Sequence, residues 1–222
     1  MGQPISRGNL GEIVGQVVQD TQVTDVHTHL YDPAFGDLLL WGFDELIAET
    51  MRWVDLPYEQ YWQMSKAEQA RLIWQTLFLQ NTPYSESCRG VLTTLQRLDL
   101  DVASRDLESY REYFRGRSLV EYVDQVFAIA KLKCVVMTND PFNAAERKIW
   151  LEKVAQGRVE LDGRFRAALR LGVLLNSWEM AWPQLQGWGF GVTEDLNGDT
   201  IGEVQRFLRE WIEIMDPVYM AV

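Results

Sequence analysis

Short apolar runs rich in β-branched residues alternate along this chain with longer stretches whose apolar residues recur at helical spacing. Val23-Thr24-Asp25-Val26, running into His27-Thr28-His29, reads as a first strand. Residues 132–138 read as a second, ended by Asn139-Asp140-Pro141. Residues 167–171 predict a third, with Val173-Leu174-Leu175 as an extension, and residues 217–222 begin a fourth. Caps mark the helices. Ser65-Lys66-Ala67-Glu68 and Ser118-Leu119-Val120-Glu121 are capping boxes, in which hydroxyl and carboxylate satisfy end N–H groups reciprocally. Asn143-Ala144-Ala145-Glu146 repeats the device, with Gly157 ending that helix. Thr82-Pro83 predicts a cap with proline in the first turn, and Thr200-Ile201-Gly202-Glu203 opens the last helix. Strand, capped helix, strand is the alternation of a parallel sheet. Residues 44–130 then form a mostly helical insertion after the first strand. With no internal repeat or low-complexity linker, residues 1–222 read as a single α/β domain.

Composition narrows the classes. The 222 residues are 47% hydrophobic and 24% charged, as in a folded domain with a sizeable core. Acids outnumber bases 32 to 21, for a formal charge of -11. That balance argues against a surface that coats nucleic acid, because counterion release needs clustered positive charge, and leaves room for a local basic pocket. No apolar run approaches the ~20 residues of a spanning helix, and the start lacks a secretory pattern. No membrane partner is therefore expected, and the cytoplasm is the expected location. Cys88 and Cys134 lack CxxC spacing and read as reduced thiols.

The candidate chemistry gathers at strand ends. In an extended strand, residues two apart share a face, so His27 and His29 can converge on one metal ion; the alternative is two polar residues closing a strand. Both of the chain's histidines are spent there. Two ligands do not complete a zinc site, which takes at least three from the protein. Asp25 shares the face as an anchor for an imidazole or a neighbouring strand, or is a solvent-exposed strand start. Asp140, held toward extended geometry by Pro141, is a functional carboxylate or a helix-entry cap. Arg170, in an apolar segment, needs a partner, either a substrate carboxylate or a structural aspartate. Arg89 and Arg105 are lesser candidates of the same kind, or surface ion pairs. Gly187-Trp188-Gly189-Phe190-Gly191 lacks the lysine and spacing of a phosphate loop and reads as an ordered aromatic turn or lid. Trp178, Trp182 and Trp188 pack that turn or stack on a sugar.

Asp25-Val26-His27-Thr28-His29-Leu30, Leu40-Trp41-Gly42-Phe43-Asp44-Glu45-Leu46 and Val136-Met137-Thr138-Asn139-Asp140-Pro141, with Arg170 and Leu174-Leu175-Asn176-Ser177-Trp178, resemble the uronate isomerase (glucuronate isomerase) family of amidohydrolase-like metal barrels. The resemblance covers roughly that family's amino-terminal half. It implies an α/β fold that is the amino-terminal half of a distorted TIM (β/α)8 barrel. It implies one divalent metal, usually zinc, held by His27 and His29, with Asp25 behind them. Arg170 then pairs with the substrate carboxylate and Asp140 shapes its pocket. The implied reaction is aldose–ketose isomerisation of D-glucuronate to D-fructuronate and of D-galacturonate to D-tagaturonate. The implied partners are a uronate sugar and a homo-oligomer or second polypeptide that completes the barrel. A metal-dependent hydrolase of the same superfamily and a non-catalytic partial barrel are the alternatives. The chain departs from the family at Glu49-Thr50-Met51, where relatives place a His-Tyr pair, and at Gly172 and Val173, where they place Asp and Pro. The general base and the third metal ligand are not among the residues that carry the resemblance.

Overall fold

The computed structural model describes residues 4, 6–38, 41–50 and 56–222. The chain runs from α1 (Leu10–Asp20) into β1 (Val23–Thr28) and a 3-10 turn over Pro33–Leu38. Helices follow: α2 (Phe43–Thr50), α3 (Tyr58–Gln63), α4 (Lys66–Ile73) with its π-helical continuation Trp74–Gln80, α5 (Glu86–Arg97), α6 (Leu107–Arg115) and α7 (Leu119–Ile129). Then come β2 (Leu132–Asn139), α8 (Ala144–Ile149) prolonged over Trp150–Val154, β3 (Phe165–Arg170), α9 (Gly172–Asn176), α10 (Trp178–Gly187), α11 (Thr200–Met215) and β4 (Tyr219–Ala221). Contacts divide the chain into two compact units, Met1–Leu38 with Val126–Val222, and Leu39–Gln125.

The first unit is built on the sheet. Its order is β1-β2-β3-β4, and every neighbouring pair is parallel. The Tyr219 hydroxyl on β4 donates to the Val26 carbonyl on β1, so the two ends of the sheet curl toward each other into a half-barrel. The β1–β2 ladder is irregular between Asp25 and Thr28, the kind of break that leaves a carbonyl for another donor. From Val135 to Asn139 β2 is buried throughout, as a central parallel strand must be. On α11, Phe207, Trp211 and Met215 lie four residues apart and form the buried stripe. Trp188 and Phe190 pack on Phe207, so the glycine-rich segment is an aromatic turn, with Gly189 at φ 88° making its bend.

The parallel half-barrel expected from the sequence is present. Two local expectations differ, and one helix was not foreseen. The third strand stops at Arg170, and Gly172–Asn176 turns helical; a short apolar run does not by itself separate strand from helix. The cap of α5 is Ser85, which accepts the Cys88 N–H, and not Thr82. Helix α1 was not legible, since no side chain caps it and none of its residues is buried.

The second unit is helical, with Phe43, Tyr61, Trp74, Phe78 and Tyr110 in its core. Trp74 stacks on Phe78 at 4.2 Å between centroids. Buried Arg111 is satisfied by Asp44 (2.9 Å), Glu108 (2.6 Å) and the Ala67 carbonyl (2.7 Å), as a buried guanidinium has to be. Arg105 donates to the Phe78 carbonyl at 2.8 Å and Arg89 is exposed on α5. Among the described residues, no helix is long and apolar enough to cross a membrane.

Candidate functional site at the strand ends

β1, β2 and β3 deliver their C-terminal ends to one rim, where parallel barrels collect chemistry. His27 lies in β1 and His29 just past its end, and both rings are exposed, while Thr28 between them is buried on the other side. Their ring centroids are 5.3 Å apart with planes inclined by 61°. Two imidazoles sharing one tetrahedral ion at about 2.1 Å would have centroids about 5 Å apart, so the pair fits part of such a centre. Among the described residues no group of three His, Cys, Asp or Glu side chains gathers to hold a metal ion.

Thr138, near the end of β2, sets the His27 ring. Its Oγ1 lies 3.3 Å from His27 Nδ1, which leaves Nε2 as the nitrogen to face an ion. Sequence reasoning quoted Thr138 within its motif without giving it this role; the partner is a hundred residues away and only the parallel pairing joins them. Asp25 turns one oxygen onto the His27 backbone N–H at 3.1 Å.

Behind the rim lies a buried acid that the sequence reading assigned to a helix cap. Asn143 does cap α8, accepting from Ala145 and Glu146 N–H groups. Glu146 does not close the box. Its carboxylate, in a residue only 4% exposed, faces the strand ends instead. Oε2 accepts from Asn139 Nδ2 (3.1 Å) and from the Asp140 backbone N–H (3.0 Å). Oε1 lies 3.1 Å from the Tyr31 hydroxyl, which is also 3.2 Å from the Thr138 carbonyl. Burial pushes the Glu146 carboxyl up, and the Asp140 charge adds to the push, against bonds from Asp140, Asn139 and Tyr31 that pull it down. Burial likewise raises the Tyr31 phenol, with Glu146 reinforcing it and Arg170 opposing.

Asp140 is half-buried and uses one oxygen to accept the Phe142 N–H at 2.9 Å, so it shapes the entry to α8 as well as standing at the rim. Arg170 is exposed, contrary to the burial its apolar neighbours suggested: it is the last residue of β3, at the open strand end, whereas Ala167, Ala168 and Leu169 before it are buried. The departure at Glu49-Thr50-Met51 lies, for its side chains, outside the described residues.

No protein-family model matches the chain, and no curated protein does. Among solved structures it is similar to the crystal structure of a uronate isomerase from Bacillus halodurans C-125, with 51% identity and a TM-score of 0.86. The match covers 98% of this chain and 52% of that one. Over nearly its whole length the chain is thus similar to that uronate isomerase, and it spans about half of that protein's length.

Proposed function

We propose that this chain is the histidine-bearing half of a uronate isomerase that interconverts D-glucuronate with D-fructuronate and D-galacturonate with D-tagaturonate. The observation that carries the reading is 51% identity to a uronate isomerase across 98% of the chain, in the same half-barrel fold. In this reading His27 and His29 hold one divalent ion, zinc by preference, and Thr138 fixes the His27 ring. When bound, the ion supplies positive charge to an oxygen that becomes anionic as a proton moves between C2 and C1. Arg170 offers a bidentate partner for the sugar's carboxylate, so that binding remote from the reacting carbons orients them. Asp140 and the backbone around it bound the substrate pocket, and Asp25 steadies the His27 backbone.

In this reading further barrel strands, either the rest of a longer chain or a second polypeptide, complete the site with the general base and the third ligand, in the cytoplasm. Exposed Val26 on β1 and Val218 and Met220 at β4 support such a completion, since both ends of the sheet present apolar side chains. One observation favours a second reading, a partial barrel without catalysis of its own: the histidine pair has no third metal-capable neighbour among the described residues.

Metal analysis and a uronate isomerisation assay separate the two. The completed barrel is expected to hold about one ion per histidine pair, to convert D-glucuronate, and to lose both with His27→Ala and His29→Ala combined. Arg170→Ala is expected to impair uronate turnover while leaving metal content intact. Metal retained unchanged in the double-histidine variant would falsify the assignment. Tight metal with no action on uronates, but hydrolysis of amides or esters, moves the chain to the hydrolases.

A further inference from the structure

One peptide group in β1 lies outside the register of the sheet. The ladder pairs Asp25 with Val135 and Thr28 with Met137, so three steps along β1 face two along β2. Val26 and His27 fill this bulge, and the peptide that joins them is held by side chains. Tyr219, on β4, donates its hydroxyl to the Val26 carbonyl. Asp25 Oδ1 accepts the His27 N–H at 3.1 Å. Tyr219 is itself fixed. The Val218 N–H donates to the Ala167 carbonyl at 2.8 Å and the Leu171 N–H to the Ala221 carbonyl at 2.7 Å, which pins β4 to β3 on either side of it. We propose that Tyr219 is a positioning residue for the histidine pair, holding with Asp25 the peptide plane that aims the His27 ring.

The effect follows from backbone geometry. Because the peptide is planar, its tilt is shared by ψ of Val26 and φ of His27, so freeing it lets the His27 Cα and the ring it carries shift. A carbonyl held from across the sheet and an N–H held from the preceding residues fix that tilt on both sides. The ring then meets Thr138 Oγ1, 3.3 Å from its Nδ1, as the end of a chain of contacts that begins at Tyr219. Bulges that re-aim a side chain are a known device beside functional sites. His29 lies past the Thr28–Met137 pairing, where the register has resumed, and depends less on this peptide. The metal side of the inference rests on the uronate isomerase reading; the hold on the His27 backbone is measured without an ion.

Tyr219→Phe removes the hydroxyl and keeps the ring. In metal-free protein labelled with carbon-13 and nitrogen-15, it is expected to move the Val26 carbonyl, His27 amide and His27 ring resonances, with smaller shifts at His29. Zinc affinity of the histidine pair, read by competition with a chelator at a temperature where every variant is folded, is expected to fall by roughly threefold to tenfold, the range of one lost hydrogen bond. Asp25 supplies a second pair of variants. Asp25→Asn keeps an oxygen for the His27 N–H and should bind zinc more tightly than Asp25→Ala, which has none. A lower melting temperature in Tyr219→Phe with the His27 resonances and zinc affinity unchanged gives the hydroxyl a role in the sheet alone and overturns the proposal. Equal zinc affinity in Asp25→Asn and Asp25→Ala overturns it too. If the wild type takes up no zinc while the His27 resonances still move in Tyr219→Phe, the isomerase reading loses its metal and the hold on His27 stands. Zinc bound equally by wild type and Tyr219→Phe keeps that reading and removes this one.

Discussion

Thr138 governs how His27 presents itself, and a methyl in place of its hydroxyl tests that with little change of shape. Thr138→Val is expected to weaken zinc binding at the histidine pair by roughly tenfold or more, read by competition with a chelator, as outer partners of metal-bound imidazoles do when lost. A second residue answers to acid. Glu203 is held down to about 2 by the Arg206 guanidinium and then by the Gly191 backbone N–H. A depressed carboxylate stabilises the fold above its ordinary value of 4.5 and loses that contribution as pH falls toward 2. Glu203→Gln should flatten this part of the acid-unfolding profile followed by circular dichroism. Sequence reasoning reached His27 and His29 because two residues at period two declare their shared face. It missed Thr138, Tyr31 and Glu146 as a group because their meeting depends on which strands pair, and Glu146 sat at a position where a local cap explained it.

The helices were legible where they carry caps, and the structure shows why some caps mislead. Ser65 and Glu68 close their box, and Ser118 and Glu121 close theirs. Asn143 caps α8 alone, since the Asn143 N–H is taken by the Asp140 carbonyl, which frees Glu146 for the strand ends. Asn143→Ala is expected to cost about 1 kcal/mol in denaturant unfolding, the usual worth of such a cap. It should also loosen the Glu146 contacts, because both depend on the first turn of α8. The apolar stretch after Arg170 and the uncapped α1 escaped for opposite reasons. The first has hydrophobicity without a period, and the second has a helical period that the fold leaves uncovered, with Leu10, Val14, Val17 and Val18 exposed.

At the scale of the molecule, the parallel order β1-β2-β3-β4 followed from the alternation of strands and capped helices, whereas the curl closed by Tyr219 involves residues at opposite ends of the sequence and had no local signal. The strand that carries His27 is held less than its neighbour β2. Among the described residues β1 pairs on one side only, and its Val26 is 63% exposed, while β2 is paired on both sides and buried from Val135 to Asn139. Amides of β1 are expected to exchange with deuterium faster than those of β2 in the native state, and equal protection would contradict this ranking. The whole helical unit also lies between β1 and β2 in sequence, so this pairing closes the longest loop in the sheet and carries its largest loop-closure entropy. The histidines thus report on the docking of their own strand. Any ion that binds them only when β1 is in place draws that local opening equilibrium shut by mass action, so occupancy of the site and closure of the sheet are two readings of one equilibrium.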